Sequence, residues 1–244
     1  MPEWNIIGRS RAAGAMRSAS AFVEPGVDST IVCDGVEIPA GALATGAAQL
    51  HPGAERVISE LFGFRVCEDA WRMTRHGELG RLYCIYGSRR LGRGAETASV
   101  LTEGLAPLAS YILAVVPQPV VRVWATNTSI ESQDDGWFLT LRFADDLIVT
   151  LEALAVADPS TGGGTQLEIG GGDRGGGWGP TRQAVRGGRP GQATRLEPRG
   201  EDGAERLLEV IASGDGPIVQ GQRLRAVWQA MLHSASSGQA IVVS

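Results

Sequence analysis

The stretch from Pro119 to Asp158 constrains the fold more than any other part of the chain. It holds three runs with strand character, Val120–Thr128, Gly136–Phe143 and Leu147–Ala157. In the first run Val121, Val123 and Ala125 alternate with Val120, Arg122 and Trp124. In the second, Trp137, Leu139, Leu141 and Phe143 alternate with Phe138, Thr140 and Arg142. A period of two with β-branched and aromatic enrichment predicts strands with two unlike faces. Short turns, Gln133-Asp134-Asp135-Gly136 and Ala144-Asp145-Asp146, join the runs as hairpins. The expected product is an antiparallel meander that helices must cover on at least one side. Its second register keeps Val120, Trp124 and Phe138, so a face left by the helices is expected to pair with another chain.

The flanking segments supply the covering helices. Gln222–Ser236 has Leu224, Val227, Trp228, Met231, Leu232 and Ala235 at three- and four-residue spacing, with Gly238 as its cap. Leu105–Val116 is an apolar helix stopped by Pro117, and Glu201–Ser213 is amphipathic. Glu68–His76 has acids at its start, a histidine in its last turn and Gly77 behind it. Leu79–Ser88, Thr165–Gly170, Trp178–Val185 and Ala240–Val243 read as further strands. Earlier, Ser29–Cys33 reads as a strand closed by Asp34-Gly35, Pro39–Leu50 as an Ala-rich helix, and Glu55–Phe64 as strand-like. Met1–Asp28 shows little pattern and is expected to be irregular.

At 244 residues the chain can bury a sizeable core. Its net charge of −5 argues against a nucleic-acid partner, whose phosphates favour a basic surface. There is no lysine, so all 22 basic residues are arginine and no lysine-based chemistry is available. Cys33, Cys67 and Cys84 have no metal-ligand spacing with one another or with His51, His76 and His233. Buried, reduced thiols in a cytoplasmic protein are the expectation. No apolar run is long enough to span a membrane, and Met1–Ala21 has no apolar signal-peptide core.

Gly170-Gly171-Gly172-Asp173-Arg174-Gly175 satisfies GxGxxG and follows a predicted strand. A dinucleotide loop must open a helix, whose N-terminus receives the pyrophosphate. Here Gly176-Gly177-Trp178-Gly179-Pro180 follows and cannot start one, so a hairpin turn is expected. Arg89, Arg90 and Arg93 follow the strand ending at Ser88. They can clamp a carboxylate or phosphate, or form a solvated loop paired with surface acids. Trp178, in its glycine-rich loop, is the aromatic residue placed to contact a ligand. The pairs Asp134-Asp135 and Asp145-Asp146 fit turns better than a metal site. Ser160, Thr161, Ser234, Ser236 and Ser237 have no histidine or carboxylate at motif spacing.

The C-terminal segment from Arg206, RLLEVIASGDGPIVQGQRLRAVWQAMLHSASSGQAIVVS, resembles the close of the Gfo/Idh/MocA oxidoreductases. Their A-x-x-x-S-A-x-x-G pattern is met by Ala230, Ser234, Ala235 and Gly238. Upstream, FRVCEDAWRMTRHGELGRLYCI resembles the family's crossover, with Arg65, Gly77, Leu79 and Gly80 matching and Glu68 where proline is usual. The resemblance runs from about Ser59 to the end. It implies an α+β fold, a large mostly antiparallel open-faced sheet with helices on one face. Residues 1–60 are then a truncated, Rossmann-like remnant and residues 61–244 the family's C-terminal domain.

The departures are chemical. The resemblance places Cys33-Asp34-Gly35 where the family has E-K-P, and no lysine is present. It places Ala106 and Ala109 at the histidine and carboxylate of the family's G-x-H-x-x-D helix start, of which Gly104 is the glycine. About 60 residues precede the crossover, whereas βαβ units of roughly 30 residues make a complete nucleotide domain on the order of 120. No catalytic residue, cofactor-binding residue, cofactor or metal ligand is therefore assigned. The expected role is a non-redox structural or regulatory subunit, homo-oligomeric or paired with a full-length homologue. Two other classes stand beside it. One is an oxidoreductase subunit, or a cofactor-free lyase or isomerase, acting on a sugar-like substrate. The other is a binding module that holds a small anion through Arg89, Arg90, Arg93 and Trp178.

Overall fold

A computed structural model of the chain describes residues 5–7, 20–23, 30–33, 36–39, 43–45, 54–92, 100–130, 133–156, 164–179, 182–187, 193–194, 207, 209–211 and 217–243. The predicted meander forms its centre: β8 (Val120–Ile130), β9 (Gln133–Phe143) and β10 (Ile148–Val156) pair antiparallel in succession. Beside β10, in parallel, lies β7 (Leu82–Gly92), and beyond it β11 (Gly164–Gly171) runs antiparallel. Then follow β12 (Arg174–Gly179), β13 (Arg182–Gly187) and β14 (Ala193–Thr194); β16 (Ile241–Val242) closes the other edge. The result is a nine-stranded sheet in the order β14-β13-β12-β11-β7-β10-β9-β8-β16.

A smaller sheet joins β1 (Asn5–Ile7), β2 (Ser20–Val23), β5 (Leu43–Thr45), β6 (Arg56–Val57) and β15 (Val219–Gln220) in that order. The strands β3 (Thr30–Cys33) and β4 (Val36–Pro39) form a separate hairpin around Asp34-Gly35. Strands β1 and β2 lie within the segment expected to be irregular. The helix expected over Pro39–Leu50 is contradicted, because Pro39 ends β4 and Leu43–Thr45 is strand β5. Gly41 and Gly46 flank that strand, and each glycine costs a helix about 1 kcal/mol, so the alanine count misled. Glu55–Phe64 is strand only at Arg56–Val57, then a 3₁₀ turn at Glu60–Gly63. Trp178–Val185 is the end of one strand and part of the next. Of Glu201–Ser213, the described residues Leu207 and Glu209–Ile211 are helical.

Helix α1 (Arg65–Arg75) begins three residues before its expected start. Glu68 lies inside its first turn, almost fully buried, with one carboxylate oxygen 2.7 Å from Arg72. Gly77 has φ +74, the left-handed conformation that stops a helix at low cost only for glycine. A π-type turn, Val100–Leu105, leads into α2 (Ala106–Val115), and α3 (Gly221–Ser237) ends at Gly238 with φ +71.

One sheet face is buried by α2, α3 and the π-type turn. Val123, Ala125, Trp137, Leu139, Leu141, Phe143, Val149, Leu151 and Ile85 all lie under them. Burying each large side chain favours folding by about 1.5–3 kcal/mol. Strand β8 departs from the simple alternation at its start. A register shift between Val120 and Arg122 buries Val120 and leaves Val121 half-buried, so these two exchange their expected faces.

Ser234 shows why the terminal motif has its form. Strand β16 pairs with β8 at Ile241 opposite Val123 and Val242 opposite Arg122, so the next inward N–H, on Ala125, needs another acceptor. The Ala125 N–H donates to Ser234 Oγ at 2.9 Å, and that hydroxyl donates to the Gln239 carbonyl at 2.6 Å. Ser234 itself is fully buried. Ser234→Ala is expected to lower stability by about 2 kcal/mol, chiefly by stranding the buried Ala125 N–H, read as a lower urea midpoint.

Candidate functional site

The family resemblance points to the N-terminus of α2. The π-type turn brings Gly104 against the sheet, where a Cβ would lie 2.7 Å from the Ala153 Cβ. The glycine of the expected motif is thus required for packing. Behind it, Ala106 and Ala109 are both fully buried. The Pro107 carbonyl accepts hydrogen bonds from Ser59 Oγ at 2.6 Å and Ser110 Oγ at 3.1 Å. Ser59 Oγ in turn accepts from the Leu61 N–H, which ties the 3₁₀ turn to the helix start. Phe62 packs on Tyr111 with ring centroids 4.9 Å apart and on Trp71 edge-on at 6.1 Å. The Tyr111 hydroxyl donates to the Cys67 carbonyl, and burial pushes its pKa well above the ordinary phenol value. Ala106 and Ala109 offer neither a proton carrier nor a charge, and apolar side chains close around the helix that bears them.

Of the predicted ligand residues, the described side chains of Arg89 and Arg90 lie on opposite sides of the sheet. Strand β7 continues past Ser88 through Gly92, which puts Arg89 and Arg90 inside it. Adjacent strand residues face opposite sides. Arg89 turns to the covered side, where its Nη1 lies 2.5 Å from Glu60 Oε1, both side chains mostly buried. No sequence signal links these two residues, 29 positions apart in different elements. Arg90 turns to the open side and is exposed. Arg93 lies outside the described residues. Trp178 belongs to β12, opposite Leu167 and Gln183, with its side chain outside the described residues.

The open side has its own polar cluster. Tyr86, Ser88 and Arg90 follow one another on β7, with Glu152 of β10 opposite Ser88. Burial first, then the hydrogen bond donated to Glu152, push the Tyr86 hydroxyl upward in pKa, against Ser88 and Arg90. On β11, Gln166 Nε2 donates to Glu168 Oε1 at 3.0 Å. At the hairpin after β9, Asp146 is held below its ordinary pKa chiefly by the hydrogen bond from Arg142.

The GxGxxG match opens no helix. Gly170 to Gly175 closes the antiparallel hairpin of β11 and β12, with Gly170 opposite Gly175. Gly172 donates its N–H to the Arg81 carbonyl and Asp173 to the Leu79 carbonyl, so these amides bind the protein's own backbone. Among the described residues no group of three His, Cys, Asp or Glu can hold a metal ion. No helix among them is long and apolar enough to cross a membrane.

The sequence matches no protein-family model and no curated protein. Solved structures do match. Aldose-aldose oxidoreductase from Caulobacter crescentus superimposes with a TM-score of 0.60 at 15% identity, over 78% of this chain and 64% of that one. A super-repressor mutant of Gal80p from Saccharomyces cerevisiae gives a TM-score of 0.61 at 10% identity, over 79% and 66%. Scyllo-inositol dehydrogenase from Lactobacillus casei gives 0.53 at 11% identity, over 73% and 62%. The chain spans less than two thirds of each of these proteins. The open sheet with helices on one face is shared with them, and the chain has the α+β fold of the Gfo/Idh/MocA-type oxidoreductases.

Proposed function

We propose that this chain is a non-redox variant on the oxidoreductase fold, a structural or regulatory subunit that acts by association in the cytoplasm. The observation that carries this reading is the N-terminus of α2. There the family resemblance aligns Ala106 and Ala109 with a catalytic histidine and its carboxylate partner, and both are buried. Hydride transfer from a hydroxyl needs a group to take the proton, and alanine supplies none. The missing lysine and the hairpin built from the GxGxxG match point the same way. The likeness to a Gal80p super-repressor supports a regulatory use of this fold. The partner is a second copy or a homologous chain, docked on the uncovered sheet face. Residues 61–244 form the associating domain in this reading, and residues 1–60 are a degenerate nucleotide-domain segment.

Assaying the purified chain with NAD or NADP over a panel of polyols and aldoses should show no turnover above a heat-denatured control. Turnover that requires either cofactor would return the protein to the enzymes.

A further inference from the structure

We draw no further inference here: the strongest candidate, the cross-strand row on the covered sheet face where Arg89, paired with Glu60, and Trp137, whose buried indole N–H has no hydrogen-bond partner among the described residues, flank Ala153 beneath Gly104, belongs to the site already described at the N-terminus of α2.

Discussion

Gly221→Ala is expected to yield little or no folded protein. Helix α3 starts where the chain crosses the segment before β6, and the Gly221 N–H donates to the Glu55 carbonyl at 2.7 Å. A Cβ at Gly221 would lie 1.7 Å from the Ala54 carbonyl oxygen and 2.8 Å from its carbon. Neither atom belongs to a flexible side chain, so the helix or the segment must shift. The same Ala54 carbonyl also accepts from Arg225 Nη1 at 2.7 Å, and β15 pairs with β6 alongside. A shift therefore breaks several contacts together. The expected loss exceeds about 4 kcal/mol, a large share of the 5–15 kcal/mol that usually holds a domain together. Gly172→Ala is the matched control. Its Cβ would meet only Arg81 backbone atoms at 3.7 and 3.9 Å, so a change within about 0.5 kcal/mol is expected. Soluble yield and thermal midpoints of the two variants compare them directly.

Arg223→Ala should be the next most damaging change. Its guanidinium closes the C-terminus of α2, donating through Nη1 to the Leu113 carbonyl at 2.9 Å. Nη2 donates to the Val116 carbonyl at 2.8 Å and also to the Gln118 carbonyl. Burial lowers the arginine's pKa, as desolvation of a cation must. The carbonyls at a helix end carry partial negative charge and lack intrahelical donors, so a forked cation satisfies several at once. Removing it should cost about 3 kcal/mol. Arg223→Lys should recover only part of that, because one ammonium cannot reproduce the planar fork. Urea unfolding of the three proteins gives the ranking.

Much of this architecture was legible because it is periodic. Alternation in Gly136–Phe143 and three- and four-residue spacing in Gln222–Ser236 report local geometry, and the structure puts β9 and α3 there. The terminal Ser234 and Gly238 were visible as a motif, and their hydrogen bond and positive φ supply its reason. What escaped was tertiary. Gly221 is one of 34 glycines, and only the approach of Ala54 makes it irreplaceable. Arg223 is one of 22 arginines, and only the end of α2 selects it. Strand β7 outruns its apolar pattern because Arg89 finds Glu60 on the covered side and Arg90 finds solvent on the other. The short strands β2 and β5 pair with each other across residues distant in sequence, and neither is long enough to show a period.

The candidate site was read from the sequence only by subtraction. Ala106 and Ala109 were conspicuous only against the family pattern, and the structure adds that both are fully buried in an apolar wall. Titration calorimetry of the isolated chain with NAD and with NADP tests the central claim most directly. The account predicts no binding tighter than about 100 μM for either cofactor. A dissociation constant below about 100 μM, roughly −5.5 kcal/mol, would contradict it.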